Sequence, residues 1–530
     1  MAGAAVVLAV LVYGDHVRHG GWVGDAWLTR AWYVLYPHDS FTGTVGHFLD
    51  LKSMSPRPAN AVYRVLLNEW LSGDMGAWYA WQLITGVGMC VALYVLLREL
   101  GVRFWDAAAV SVLLVVFPAS ASLWLWSPVA HASLAITLGL VGFLLAMRGF
   151  RANGRRARAL HAASLLAFLL SVLLYEICLP LFLASFLLYA LRVPRRRALA
   201  RWAADCAVLL PVAILVTRST EARDQGLGGS ISHAGEIVGD LPRLALQNLL
   251  PFGSFIILAA ALLAAFYLAA AAVARRCPPG DPLGQRLRFF FALTSAGLLV
   301  VALGYLIYVP GLLYYHPLSP GIGDRVNAVA GIGWVFILYA LLAMLATLIA
   351  RAVRRPPLFA GLATAALAAT LGVSWLAPIA EESRGYVSAY LQGERVRSVV
   401  TRAIPDPTDH PAIWTFGQPV EASPGIPIFA NYWNMTAAMA LAYHDHGVRS
   451  FVALPGTSFD CRSDGMVPGG SPEYPEPGPG RLGRFGSRYG HTYFVDTVHG
   501  QFATVANRKQ CLSLRDAFQR APRLSLSDSG

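Results

Sequence analysis

The chain has 530 residues, of which 56% are hydrophobic and only 14% charged. Soluble domains carry roughly 25% charged residues. The deficit comes from repeated apolar runs near the ~20 residues needed to cross a bilayer core, which excludes a soluble globular protein. A formal net charge of +12 could suit nucleic acid, but the arginines gather in short loops between apolar runs, as in the cytoplasmic loops of membrane proteins. No nucleic-acid partner is expected.

In chain order, Gly3 to Tyr13 is apolar but short, about 16 Å as helix. No basic segment precedes it and no small-residue cleavage site follows, so it reads as the end of a first span and not as a cleaved signal peptide. Gly14 to Met75 then forms a first outward loop, dense in acids, bases and aromatics. Trp78 to Leu97, Ala107 to Trp124 and Val129 to Met147 are the next three spans, followed by a cluster at Arg148, Arg151, Arg155, Arg156 and Arg158.

Leu160 to Leu191 is about 48 Å long as helix, too long for one span and short for two. If it crossed once, that arginine cluster and the next (Arg192, Arg195, Arg196, Arg197, Arg201) would lie on opposite sides, against the charge rule. Two short spans with a recessed turn near Tyr175-Glu176 fit better. Irregular backbone at such depth is tolerated where it lines a cavity or is buried in protein. Ala203 to Thr217, Leu249 to Val273, Phe289 to Val309, Ala328 to Ala350 and Leu358 to Leu376 complete about eleven transmembrane helices. Every dense basic cluster between spans then faces the cytoplasm. The first loop, Glu176, the loops around Arg218 and Tyr314, and the C-terminal tail face the other way.

From about Ala380 the long apolar runs stop. Ile413 to Phe416, Ile426 to Phe429, Phe451 to Leu454 and Tyr493 to Asp496 read as strands, Thr436 to His444 as a helix, and Gly465 to Gly490 as a loop rich in Gly and Pro. The expected fold is therefore an all-α polytopic membrane domain, residues 1–378, with a small extracytoplasmic α/β or α+β domain, residues 379–530. Cys461 and Cys511 are the two cysteines of that tail, and a disulfide between them suits an oxidising compartment.

Several residues could carry chemistry. Asp25, flanked by Trp22 and Trp27 just after the first span, could be a carboxylate base raised by nearby lipid and aromatics, or a solvated acid beside interfacial tryptophans. His38-Asp39 could hold a metal or move a proton, or form an ordinary turn. Arg57 between Pro56 and Pro58 is expected in an extended segment, presented to a phosphate or to a lipid headgroup. Glu176 is an acid at membrane depth, a functional candidate by default, against a structural acid hydrogen-bonded to a neighbouring helix. Asp324-Arg325 opens the tenth span on its outer side, where arginine is unusual. Tyr315 and His316 could line the same cleft. His131, near the outer end of the fourth span, reads as a packed histidine. His444 and His446 flank Asp445, a weak metal hint.

Together these features resemble integral membrane glycosyltransferases of the GT-C class. The likeness rests on Asp25 soon after the first span, on Arg57-Pro58 leading into the second, on Tyr175-Glu176 between two short spans, and on Asp324-Arg325-Val326-Asn327 opening a late span. It covers about Met1 to Pro378. It implies an inverting sugar transferase in the cell membrane that uses a polyprenyl-phosphate-linked sugar and acts on an extracytoplasmic glycan, lipid or protein acceptor of the cell envelope. Asp25 would be the general base, Arg57 and Arg325 would stabilise the leaving phosphate, and Glu176 would shape the donor cavity. Many members carry two adjacent acids in the first loop, whereas Ala26 follows Asp25 here, so a divalent metal is left open. A flippase or transporter for a lipid-linked glycan is the alternative, although no inverted repeat of the transporter type is evident. A non-catalytic envelope assembly protein is the other.

Overall fold

A computed structural model describes residues 1–36, 40–51, 53–218, 227–250, 256–310, 315–429, 431–453, 458–469 and 486–520. The chain forms two compact units. One comprises Met1–His19, Val45–Leu67 and Gly76–Arg384; the other comprises Gly20–Thr44, Asn68–Met75 and Gly385–Gly530.

The first unit is helical and polytopic. Among the described residues, seven helices are long and apolar enough to cross a membrane: Met75–Glu99, Ser127–Arg151, Gly154–Leu174, Arg195–Val216, Pro282–Leu306, Ala330–Ala352 and Pro357–Ala403. Ile256–Arg276 is a further apolar helix where the eighth span is expected. The first apolar run continues past Tyr13 into an 18-residue helix, Ala2–His19. Close packing between the Pro282–Leu306 and Ala330–Ala352 helices depends on glycine. A β-carbon on Gly297 would come within 2.7 Å of the Gly333 carbonyl, and one on Gly304 within 2.6 Å of the Ala330 amide nitrogen. Small residues of this kind let helix backbones approach where lipid supplies no hydrophobic drive to associate.

Two expected spans are not continuous helices. The stretch expected as the third span stops at Val115, giving a 12-residue helix, Phe104–Val115. It then breaks into the short turns Pro118–Ser120, Ser122–Leu125 and Ser127–Val129. Pro118 and Pro128 each lack the N–H an uninterrupted helix needs. The sixth span is likewise replaced by a short turn, Glu176–Cys178, and two five-residue helices, Leu179–Leu183 and Ser185–Tyr189. The break at Tyr175-Glu176 therefore stands where charge parity located it.

Residues 120–133 of the first break are all buried, so their backbone groups need partners from the protein itself. Side chains from remote segments supply them. Gln82 Nε2 lies 2.8 Å from the Leu123 carbonyl and 3.0 Å from that of Trp126. Asp324 accepts from the Ser122 backbone N–H at 3.2 Å. Asn327 Nδ2 donates to the Ala119 carbonyl at 2.6 Å, Arg64 Nη2 to that of Pro128 at 2.9 Å, and Tyr13 Oη to that of Val115 at 2.9 Å. His16 Nε2 is 2.9 Å from the Leu125 carbonyl.

The second unit is α/β. Its main sheet has the order β4-β1-β8-β9, with β1 (Ala412–Phe416), β4 (Arg449–Val452) and β8 (Thr492–Asp496) parallel and β9 (Phe502–Thr504) antiparallel to β8. Two small antiparallel sheets join β2 (Glu421–Ser423) to β3 (Ile426–Pro427), and β5 (Ser458–Cys461) to β6 (Gly465–Gly469) and β7 (Ser487–Arg488). Every residue of β1 and β8 is buried, the pattern of strands covered on both faces. Trp414 stacks on Phe451 and on Phe494, with ring centroids 4.7 and 5.8 Å apart. Cys461 and Cys511 form a disulfide, their Cα atoms 5.8 Å apart. Most of the Gly465 to Gly490 stretch lies outside the described residues.

The region read as one long outward loop is mainly helical: Asp25–Leu35, Phe41–Asp50 and Pro58–Leu71. The Asp25–Leu35 helix packs on the Tyr432–Tyr443 helix of the second unit. Helix formation there follows from an apolar stripe in each segment, which the density of polar residues obscures in the sequence.

Candidate active site

The first unit gathers Arg57, Glu176, Tyr315 and Arg325 around the break at Tyr175. The Gly154–Leu174 helix ends there, with Tyr175 extended at φ −163°, and Pro180 sits in the first turn of the Leu179–Leu183 helix. Glu176 is thereby turned inward and buried. Arg57 reaches it with two hydrogen bonds, Nε to Oε2 at 2.8 Å and Nη2 to Oε1 at 2.6 Å. Arg57 is not in an extended segment, as its flanking prolines suggest. Its N–H bonds to the Met54 carbonyl, and its own carbonyl accepts from Asn60 and Ala61, so it closes a turn and begins the Pro58–Leu71 helix. Pro58 then sits at the first helical position, where a missing N–H does no harm.

Burial works against the Arg57 charge, but the Glu176 carboxylate more than offsets it and holds the guanidinium above its ordinary range. The guanidinium carbon also lies 5.1 Å from the Tyr175 ring centroid. Arg325 stands over the rings of Trp126 at 5.1 Å and Tyr315 at 5.7 Å, and Tyr315 in turn packs 5.3 Å from Tyr308. Two guanidiniums are thus stacked on aromatic faces in one neighbourhood.

Asp324 and Arg325 are adjacent in sequence but divide their tasks. Asp324 is turned toward the Ser122 backbone. Burial pushes its carboxyl up to about 7, against the hydrogen bonds from Ser122 and the Arg325 charge. His316 lies near Tyr315 in sequence, yet its ring nitrogens face Asp240 at 3.3 Å and Glu236 at 3.8 Å, both on the Leu227–Arg243 helix.

Asp25 belongs to the second unit. It occupies the first turn of the Asp25–Leu35 helix and accepts a hydrogen bond from Trp433 Nε1 at 3.1 Å. Trp27 of that helix packs 6.3 Å from Phe429. His38 and Asp39 lie outside the described residues. Asp445 meets His410 Nδ1 at 3.2 Å, and among the described residues no group of three or more His, Cys, Asp or Glu side chains is arranged to hold a metal. Sequence reasoning passed over Arg64, Trp126 and Trp433. Arg64 could have been found from its place in an amphipathic segment next to Arg57.

No family model matches the sequence, and no curated protein matches it. Solved structures do resemble it. One is the Archaeoglobus fulgidus oligosaccharyltransferase tethered to an acceptor peptide, at 13% identity and a TM-score of 0.41, covering 85% of this chain and 63% of that one. The chain thus spans less than two thirds of the archaeal enzyme's length. Another is ArnT from Cupriavidus metallidurans bound to undecaprenyl phosphate, at 14% identity and a TM-score of 0.37, covering 84% of this chain and 85% of that one.

Proposed function

We propose that the chain is a GT-C-class membrane glycosyltransferase that moves a sugar from a polyprenyl-phosphate-linked donor to an acceptor outside the cytoplasm. The observation that carries this reading is the placement of Arg57 and Arg325 on aromatic faces beside the buried Glu176. Such a site suits a leaving group that gains negative charge in a low-dielectric setting. A polyprenyl phosphate, the lipid named for the ArnT structure, has that chemistry.

In the proposed reaction an acceptor hydroxyl oxygen bonds to the anomeric carbon, with inversion. The bond from that carbon to the phosphate oxygen breaks, and its electron pair leaves with the phosphate. Arg57 and Arg325 stabilise the charge that develops there. Asp25 takes the hydroxyl proton as general base, and Glu176 fixes the Arg57 fork. The disulfide between Cys461 and Cys511 supports an extracytoplasmic location for the second unit, as does the arginine distribution.

The test is sugar transfer by the purified protein from a polyprenyl-phosphate sugar. Arg325→Met should lower turnover by about 100-fold or more at normal protein level. Transfer at the wild-type rate in Arg325→Met would remove that residue from the mechanism. Movement of the intact lipid-linked sugar between leaflets, without transfer, would favour a flippase.

A further inference from the structure

The Leu227–Arg243 helix carries His233, Glu236 and Asp240 at spacings of three and four, which places them on one face. His233 is fully buried. Each of its ring nitrogens faces a carbonyl oxygen, Nδ1 that of Val309 at 3.3 Å and Nε2 that of Tyr315 at 3.2 Å. A neutral imidazole has one N–H, so it serves one of these acceptors and turns a lone pair toward the other. An imidazolium has two N–H groups and serves both. A buried charge needs a counter-charge, and two acids stand close by. The His316 ring packs 5.5 Å from that of His233 and faces Asp240 at 3.3 Å and Glu236 at 3.8 Å. Two imidazoles and two carboxylates thus form one cluster, balanced when both rings are charged. Asp240 is also within electrostatic range of Tyr305, and Arg325 lies across the Tyr315 ring at 5.7 Å.

The two carbonyls that His233 faces belong to a matched pair of places. Val309 directly follows Tyr308, and the Tyr308 ring packs 5.3 Å from that of Tyr315, the ring on which Arg325 rests. His233 therefore fixes the backbone on both sides of the tyrosine pair that carries Arg325. We propose that His233 is a positioning residue for Arg325, acting through Tyr308 and Tyr315, and that its hold depends on protonation. The hold is complete at acid pH, where the ring donates to both carbonyls. It weakens as pH rises and one N–H is lost, within the range of about pH 5 to 8 in which histidine changes charge. His316 works in the same direction, since it pairs with Asp240 and Glu236 as a cation. The consequence for Arg325 rests on the glycosyltransferase reading above; the protonation-dependent hold does not.

The test compares the full chain with His233→Gln in lipid nanodiscs at about pH 5 and about pH 8. The glutamine amide donates from one atom at either pH and so stands in for the neutral ring. Amide hydrogen exchange across residues 315–327 is the first readout, taken as the ratio of variant to wild type. At acid pH the variant should exchange about tenfold faster, the value of one hydrogen bond from a charged donor. At the alkaline end the two should match. His233→Phe, which donates to neither carbonyl, should exchange faster than wild type at both. The second readout is native mass spectrometry with undecaprenyl phosphate and with undecaprenol. Wild type should hold the lipid phosphate about tenfold more tightly than His233→Gln at acid pH only, with undecaprenol binding unchanged. Asp324 and the lipid phosphate titrate alike in both proteins, so the ratio isolates the ring. An exchange ratio that does not change with pH would overturn the protonation-dependent hold. A pH-dependent exchange ratio with lipid-phosphate binding equal in both proteins would overturn the positioning of Arg325. No preference for lipid phosphate over alcohol in wild type would instead overturn the transferase reading, and the exchange ratio would still decide the hold.

Discussion

Arg57 and Glu176 are 119 residues apart in sequence, yet their side chains meet in a two-pronged ion pair. The carboxylate is 10% exposed and the guanidinium 23%, so neither charge is fully repaid by water. Removing one partner of such a pair leaves the other uncompensated. Glu176→Gln should destabilise the protein by roughly 2 kcal/mol, near the low end for a buried pair because Arg57 keeps some solvent. Replacing both partners with apolar residues, Arg57→Met with Glu176→Leu, should recover much of that loss. Thermal unfolding in detergent reads both effects, and a Glu176→Gln variant as stable as wild type would contradict the account.

Asp324 makes stability depend on pH. Its carboxyl is raised from an ordinary 3.8 to about 7, so the folded chain holds this proton more tightly than the unfolded one. The contribution is present in full below pH 3.8 and is lost as pH rises through about 7. Melting temperature should therefore fall across that window in wild type. In Asp324→Asn, which keeps an oxygen to accept from Ser122, the profile should be flatter.

Gln82 is expected to matter more than its place in an apolar helix suggests. Gln82→Leu would leave the Leu123 and Trp126 carbonyls without the donor they share. The Trp126 carbonyl keeps the Val129 N–H, so with one buried orphan at about 1–3 kcal/mol the loss should be roughly 2 kcal/mol. Gln82→Glu should be no better, since a carboxylate cannot donate. Wild-type stability in Gln82→Leu would mean that other groups reach these carbonyls.

Asp25→Asn separates chemistry from structure. The amide oxygen can still accept from Trp433 Nε1, so folding should be retained, while loss of a general base should slow transfer by about 100-fold to 10,000-fold. Normal turnover in this variant would exclude Asp25 as the base.

The disulfide closes a sequence separation of 50 residues. By the chain-entropy account, a loop of that size contributes about 4 kcal/mol. The paired variant Cys461→Ser with Cys511→Ser should lower the stability of the second unit by up to that amount. Its location can be checked in the same background. A cysteine at exposed Val498 should react with an impermeant thiol reagent on intact cells, whereas one at exposed Arg155 should be shielded.

What the sequence made legible follows from two strong constraints. Hydrocarbon thickness sets span length, and arginine bias sets sidedness. Together they located the long helices and the recessed turn at Tyr175-Glu176. The same constraints say little about a span that breaks while buried. Nothing in Ala107 to Trp124 is polar enough to announce the stop at Val115, because the backbone there is satisfied by Gln82, Asp324 and Asn327 from elsewhere; Pro118 was the one signal of it. Arg57 and Glu176 could each be singled out, but no spacing rule pairs residues so far apart. Asp324 looked like a partner for substrate or lipid, and only geometry reveals its hold on Ser122. Four strands of the second unit, β1, β3, β4 and β8, were visible from their β-branched and aromatic runs; the short β2, β5, β6, β7 and β9 were not, and β6 and β7 lie in the Gly465 to Gly490 stretch read as a loop. The attachment of the Asp25–Leu35 helix to that unit was not, since it joins segments some 400 residues apart.

The broken 116–129 segment also bears on how this chain is made. A 12-residue helix reaches only about 18 Å, and the carbonyls and amides that follow it are in place early in synthesis. Asp324, which answers the Ser122 amide, follows it by 202 residues, and Asn327, which answers the Ala119 carbonyl, by 208. At a ribosomal pace of about 5–20 residues per second, that gap leaves these groups waiting for tens of seconds. The partners that precede the segment, Tyr13, His16, Arg64 and Gln82, are in place before it, whereas these two groups must be satisfied in some other way until then. Completing the hydrogen bonds of this early segment is thereby tied to one late stretch, Gly321–Asn327.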